Sequence, residues 1–371
     1  MKKLLSYCLV SLIIGLGCVS AAWAASDMEK RLTTLEERIK ELETKSETFD
    51  VFKGLTINGF VDGSYSYNEA TEANTFGLDK AELYIESKLS DKAKAFIDLG
   101  FTDTAGGDAD LEQGYITLAL PVASGTDLIF GKFNAPIGFE SAETPEMYQF
   151  SHALVFDFGI ALFHTGLMVD ANLGSAANLK LYAVNAWDEN TDNNKDKTFG
   201  TRIGLTPVEG INVGLSGVWG PEIADNNHDK RTVFDLDFTV DAIENLVIGG
   251  ELNYGEEENA SLLTANEDAE WFGAMLMVHY DFADWIGLTL RYDYFDDEEG
   301  SRMGLVAGGD DVGKAVTRQA GTIAPTFTVA EGLFAILEYR YDYADVEYFA
   351  YENGTYKDED HTVAVELTYV F

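Results

Sequence analysis

Cysteine is missing from the body of this chain. Cys8 and Cys18 both fall in the first 24 residues, so a chain cut after Ala24 forms neither a disulfide nor a cysteine-ligated metal centre. Basic charge is scarce: 25 Lys and Arg stand against 64 Asp and Glu, a net charge of -39. That balance excludes nucleic acid as a partner. Beyond the leader no apolar run is long enough for a membrane-spanning helix. The five histidines, at 152, 164, 228, 279 and 361, show no metal-ligand spacing, and there is no G-x-S-x-G elbow. No enzymatic activity, catalytic residue, cofactor or metal site is expected. Disorder is excluded as well, because the chain is 46% hydrophobic and rich in Tyr and Phe. A soluble fold or a β-barrel remains. A mean hydropathy of -0.08 is compatible with a barrel, whose strands are apolar on one face only.

What is present begins with a leader. Lys2 and Lys3 precede the apolar run Leu4 to Val19, and Ala22-Trp23-Ala24 is a small-x-small cleavage site. Residues 1-24 therefore read as a signal peptide, with the mature chain starting at Ala25. A lipoprotein reading through Cys18 is weaker, because Gly15 stands where Leu is expected. Residues 25-50 have a helical rhythm. Met28, Leu32, Leu35, Ile39 and Leu42 recur at steps of four and three, with charged residues on the other faces. This predicts a short α-helical coiled coil in the periplasm, a trimerising element or spacer. The alternative is a solitary amphipathic helix at the barrel mouth. About three heptads is marginal for a free-standing coil, so a trimer would need help from the barrels.

From residue 51 to 371 the period is two. The last eleven residues put Val363, Val365, Leu367, Tyr369 and Phe371 on one face, and Thr362, Ala364, Glu366 and Thr368 on the other. A chain that stops on such a strand leaves a sheet edge unless the sheet closes. The terminal Phe resembles the assembly signal of bacterial outer-membrane proteins. About sixteen strands can be counted, the least secure being Thr317 to Phe327, which contains Pro325. Short connections such as Ser90-Asp91, Pro207 to Gly210 and Ala330 to Gly332 alternate with long ones such as Asn134 to Leu162, Asp296 to Ala315 and Ala344 to Glu359. Short turns on one side and long loops on the other predict a closed antiparallel transmembrane β-barrel of about sixteen strands in the bacterial outer membrane. An even count puts both barrel ends on the periplasmic side. Trp187, Trp219, Tyr254, Tyr292, Tyr294, Tyr341 and Tyr343 gather at the long-loop ends, as an interfacial girdle would. Lipid and lipopolysaccharide are the expected surroundings. Acidic runs such as Asp296 to Glu299 and Glu256 to Glu258 would bind divalent cations or bridge lipopolysaccharide at the cell surface.

Two segments carry a family likeness. One is Phe130-Gly131-Lys132-Phe133 leading into Pro136-Ile137-Gly138-Phe139-Glu140. The other is His164-Thr165-Gly166-Leu167 followed by Asn185-Ala186-Trp187-Asp188. Together they resemble the OmpL-like family of β-barrel porins, in which a G-K-F strand leads into a P-x-G-x-E loop and an H-T-G strand follows. Asn-Ala-Trp-Asp stands here for the usual N-G-W-D. The phosphate-selective porin family uses a related strand-then-loop segment. The resemblance covers most of Leu55 to Phe371 and implies passive channel activity.

Sixteen strands enclose an aqueous channel. The longest connection, Asn134 to Leu162, carries Phe139, Tyr148, Phe150 and Phe156 and is too apolar for free solution. It is expected to fold into the lumen, with a cell-surface lid as the alternative. The loop brings Glu140, Glu143 and Glu146. Parity on the strands offers Lys80, Lys94, Lys132, Lys180, Arg202, Arg291 and Arg340 to the lumen. Lys132, Arg202, Arg291 and Arg340 are expected to form a basic wall facing the acidic loop across a constriction, creating a transverse field. In the alternative, these bases only pair with lumen acids such as Glu82, Glu86, Asp98, Asp293 and Glu338. Met275, Met277 and His279 share one strand face and are read as lumen lining rather than a copper site. Asp188 to Asn193 starts like a calcium loop but lacks its Gly and its bidentate Glu, and is read as a solvated loop. The expected function is passive diffusion of small hydrophilic solutes or ions, through a homotrimer, with a mild cation preference. The rivals are a phosphate- or iron-chelate-selective channel and a structural tether between outer membrane and cell wall.

Overall fold

The computed structural model describes residues 54-102, 108-122 and 125-371, together with Thr33, Thr34, Glu37, Arg38 and Lys40, which are helical. The leader and the heptad positions Met28, Leu32, Leu35, Ile39 and Leu42 lie outside the described residues.

The alternating segments fold into sixteen barrel strands: β1 (Leu55–Asn68), β2 (Asn74–Ser90), β3 (Ala93–Thr102), β4 (Asp108–Leu120), β5 (Thr126–Asn134), β6 (Phe163–Asn172), β7 (Ala177–Val184), β8 (Thr198–Val208), β9 (Ile211–Gly220), β10 (Arg231–Ile243), β11 (Leu246–Glu257), β12 (Ala269–Ala283), β13 (Ile286–Asp297), β14 (Val316–Ala330), β15 (Leu333–Ala344) and β16 (Glu359–Val370). Each neighbours the next in sequence, and β1 pairs antiparallel with β16 to close the barrel. A separate ribbon pairs Phe349–Ala350 with Tyr356–Lys357 in the last long loop. The closing register runs from Phe60 opposite Val370 to Asn68 opposite Thr362. It is sealed to the last residue, where Gly59 and Phe371 exchange backbone hydrogen bonds at 3.0 and 3.1 Å. Closure leaves no unpaired edge for the lipid to meet, which is what permits a sheet to span a bilayer.

The two faces separate as the alternation requires. On β16, Val363, Val365, Leu367 and Tyr369 are exposed outward, while Ala364, Glu366 and Thr368 are buried inward. On β13, Leu290 and Tyr292 are exposed while Thr289, Arg291, Asp293, Phe295 and Asp297 are buried. Outward aromatics form two belts: Trp219, Tyr254, Tyr292 and Tyr343 toward the long loops, and Phe282, Trp285, Tyr369 and Phe371 toward the short turns. Trp187 does not belong to the girdle. It is buried at a loop base, with Arg231 at 4.8 Å and Arg302 at 5.0 Å over its ring.

Pro325 does sit within a barrel strand. Its pairing with Leu288 on β13 is continuous, but the register with β15 skips from Ile323–Tyr339 to Thr326–Ile336. Proline has no N–H for that ladder. Strands β2 and β4 start at Asn74 and Asp108, and the two-residue period reaches into these long-loop ends, with Phe76 and Leu78 on one face of β2 and Ala109 and Leu111 on one face of β4.

Candidate functional site

The connection between β5 and β6 is the structure's central feature. Residues 135-162 turn inward and cross the lumen. They contain a 3-10 turn (Thr144–Glu146) and a short helix α1 (Leu154–Phe158). Ala153, Leu154, Val155, Ile160 and Ala161 are buried and join one apolar cluster with the inward-facing Phe133, Met168, Trp271, Met275, Met277 and Phe295. Burying Leu154, Val155 and Ile160 in this way stabilises the inserted position by about 1.5–3 kcal/mol each. Gly249 on β11 makes room for the loop, since a Cβ there would come within 2.0 Å of the Phe139 ring. Gly138 has φ +86, a left-handed conformation that turns the chain into the lumen.

Apolar packing alone would strand the loop's polar backbone, so the wall supplies partners. Glu251 on β11 accepts the Phe139 N–H at 2.8 Å. Glu338 on β15 accepts the N–H groups of Phe150 and Ser151 at 2.8 and 3.1 Å. Thr289 donates to the Tyr148 carbonyl at 2.7 Å. Arg291 donates to Glu140 at 3.0 Å and to the His152 carbonyl at 2.9 Å, and also to the Ser151 carbonyl. Arg340 donates to the His152 carbonyl at 2.7 Å. Behind them, Asp293 and Asp342 accept from Arg291 and Arg340 at 3.0 and 2.8 Å. Glu140 also accepts from Gln149 at 2.8 Å and from the Ala153 N–H at 2.7 Å. Burial pushes the Glu140 carboxyl up, but Arg291, His152 and the Ala153 N–H outweigh it and hold the group below its ordinary value.

Further contacts hold the loop at Phe158 and Glu143. Arg302, in the β13–β14 loop, donates to the Phe158 carbonyl at 2.6 Å, at the end of α1. Burial, with Arg231 nearby, lowers Arg302 to about 10. At β2, three strands from β15, Glu143 accepts from Tyr84 at 2.8 Å and from Asn134 at 3.1 Å, and Lys80 lies 4.0 Å away.

The expected constriction residues are thus divided. Glu140, Arg291 and Arg340 are brought together, but as a buried clamp: Arg291 and Glu140 side chains are 0% and 1% exposed. Their charges neutralise each other rather than facing across water. Glu143 meets the β2 wall. Glu146 is exposed, and no wall base pairs with it among the described residues. Arg202 faces the lumen and pairs with Asp237 at 2.6 Å. Lys132 is a correction. The register sets it beside Gly114 and Thr165, on the outward face of Phe130 and Leu167. Its ammonium reaches back to the Leu111 carbonyl at 2.9 Å and lies 4.0 Å over the Phe163 ring.

Open space remains between the loop and the β6–β10 wall. A cavity of about 250 Å³ is bounded by Pro136, Ser141, Ala142, Phe156, Lys180 and Arg202. A second, of about 280 Å³, is lined by Asn178, Asn212, Asp237 and again Arg202. Lys180 and Arg202 are directly opposite each other on β7 and β8, and Lys180 pairs with Asp170. Met275 and Met277 lie under the loop and His279 bonds Thr289 at 2.9 Å, so all three line the lumen as read. Asp188 is committed to the loop, accepting from the N–H groups of Leu162 and Phe163 at 2.7 and 3.0 Å. Sequence reasoning missed Glu251; its only signal is an acid at the inward parity between Gly249 and Asn253.

Comparison with known proteins agrees with this architecture. Residues 54-371 match the family described as "Putative beta-barrel porin-2, OmpL-like". No curated protein matches the sequence. Solved structures similar in fold include the outer membrane channel DcaP of Acinetobacter baumannii, with a TM-score of 0.64 at 13% identity over 85% of this chain and 97% of that one. The anion-selective porin from Comamonas acidovorans gives 0.62 at 11% identity, over 85% and 99%. OmpT of Vibrio cholerae in its trimer form gives 0.61 at 13% identity, over 85% and 99%. At such identities the likeness is one of fold. The family match spans the whole barrel, and this chain belongs to the OmpL-like beta-barrel porin-2 family, a porin of the bacterial outer membrane.

Proposed function

We propose that solutes cross this porin through the gap between the inserted loop and the β6–β10 wall, with Lys180 and Arg202 as the side chains they pass. The observation that carries this reading is the asymmetry of the loop's anchors. Its polar clamps to barrel strands fall on β2, β11, β13 and β15. Among the described residues, only Asp188 of the β7–β8 connection holds it on the β6–β10 side, at its end by Leu162 and Phe163, whereas Arg202 borders both cavities on the opposite wall. Passive diffusion of small hydrophilic solutes or ions suits such a gap, since its bases are balanced. Asp170, Lys180, Arg202 and Asp237 make a belt of no net charge. A phosphate-selective channel would want an unopposed ladder of bases there, so the general porin is preferred. Small solutes remain the expected cargo, and a homotrimer the expected assembly, as in the trimer form of OmpT, which shares the fold.

Both cysteines of the chain precede residue 19, so thiol chemistry can be aimed at chosen positions. Lys180→Cys and Arg202→Cys, treated with a bulky methanethiosulfonate in planar bilayers, should lose most of their current. Lys132→Cys should keep its current. Undiminished current in the modified Lys180→Cys and Arg202→Cys proteins would place the path elsewhere.

A further inference from the structure

The junction of the loop with β2 and β3 has more acceptors than protons. The Tyr84 hydroxyl lies 2.5 Å from Glu82 Oε2 and 2.8 Å from Glu143 Oε2. A phenol carries one proton and can donate to one of them only. Asp98 joins them from β3. Its side chain is fully buried, Oδ2 accepts from Gln113 at 3.2 Å, and Oδ1 has no hydrogen-bond partner. Carboxylate oxygens of Glu82, Asp98 and Glu143 lie within 4.8 Å of one another. Lys80 is the ammonium at this junction. It contacts Glu82, lies 2.9 Å from Glu112 and is 4.0 Å from Glu143, so one positive charge serves three carboxylates and makes no ion pair with Asp98 among the described residues. An uncompensated carboxylate buried in this way is costly unless a cation or proton joins it.

We propose that Glu82, Asp98 and Glu143 hold a calcium ion that ties the inserted loop to the β2–β3 wall. The donors are all oxygen, with no imidazole or thiol, which selects a hard cation. Calcium–oxygen distances of about 2.3–2.6 Å let ligands on one ion lie up to about 5 Å apart, whereas magnesium, at about 2.0–2.1 Å, demands a tighter cage. Water completes the coordination, as calcium accepts six to eight ligands in flexible geometry. The ion gives the loop a second anchor at β2–β3, five strands around the barrel from the strand that carries Arg291. Sequence spacing could not reveal the site, because its three ligands come from two strands and a loop.

Isothermal titration of the full-length folded porin with calcium chloride, after stripping with EGTA, tests this. Elevated sodium chloride would screen the acidic surface loops. The expected result is a tight calcium site in the parent that Asp98→Asn and Glu143→Gln both lose, with magnesium binding more weakly. Glu143 lies in the loop, so its variant should keep the heat-modifiable mobility of a closed barrel. Unchanged tight binding in both variants, or none in the parent, overturns the proposal; none in the parent would leave a shared proton as the bridge. Anomalous scattering from crystals grown with calcium gives a second reading. Density among the three carboxylates supports the site, and density only at the outer loops contradicts it.

Discussion

Arg291 and Glu140 meet at 3.0 Å inside the barrel, one from the wall and one from the loop, with both side chains shielded from water. They are 151 positions apart in sequence, and their contact fixes where the loop crosses. A buried pair of this kind gains little over an apolar substitute, but breaking it leaves a charge without a partner. Arg291→Ala should therefore loosen the loop by about 3–5 kcal/mol, because Glu140 stays behind. Hydrogen exchange of residues 139-153 should speed up in the variant while the strands keep their protection. Equal exchange in both proteins would contradict the clamp.

The same pair makes the loop sensitive to acid. The Glu140 carboxyl is held below its ordinary value of 4.5 in the folded protein. A depressed acid contributes stability that is complete above the unfolded value and is lost as pH falls through the folded one. The loop should stay docked from neutral pH down to the ordinary glutamate range and loosen below it. Current noise recorded as a function of pH reads this directly. In Glu140→Gln the part of the acid transition due to this group should disappear.

Lys132 and Arg202 should behave oppositely although both are bases on barrel strands. Lys132→Met, facing outward, should leave conductance and ion preference unchanged. Arg202→Ala removes the partner of Asp237 beside the open gap, and should widen the gap and shift preference toward cations. Single-channel recordings of both variants check the contrast. A change of selectivity in the Lys132 variant would reverse its assigned face.

The net charge of the chain and the balanced belt at the gap together predict a mild cation preference. Acid accumulates elsewhere along the lumen, where Asp62, Glu338 and Glu366 each keep a carboxylate oxygen without a hydrogen-bond partner. Reversal potentials in a salt gradient test it, and an anion-selective value would contradict it.

Strand count, closure and the inward turn of the longest loop were legible, because each follows from local alternation or from apolar residues where water should be. Arg202, Arg291 and Arg340 could be assigned to the lumen on the same ground, since their strands have one apolar face. Lys132 could not. In Leu128-Ile129-Phe130-Gly131-Lys132-Phe133, Ile129 and Phe133 pack on the inserted loop while Phe130 faces outward. Both faces of β5 are apolar, so alternation carries no direction there. The clamp was hidden for a different reason. Parity says which way Arg291 points, but only the folded loop determines that Glu140 reaches it, and a lumen base with a buried partner is an anchor rather than a source of field.

The central claim is that the β5–β6 loop spans the lumen and sets the width of the pore. Single-channel conductance of the parent protein, beside a variant carrying Glu140→Gln, Arg291→Met and Glu338→Gln, tests it most directly. The variant removes the charged contacts of Glu140, Arg291 and Glu338 and leaves those of Arg340, Thr289 and Tyr84, so the hold on residues 140-153 is weakened without touching the β6–β10 side. The account predicts a clear rise in conductance with added flicker. Conductance and noise identical to the parent's, from a variant that still forms a closed barrel, would contradict it.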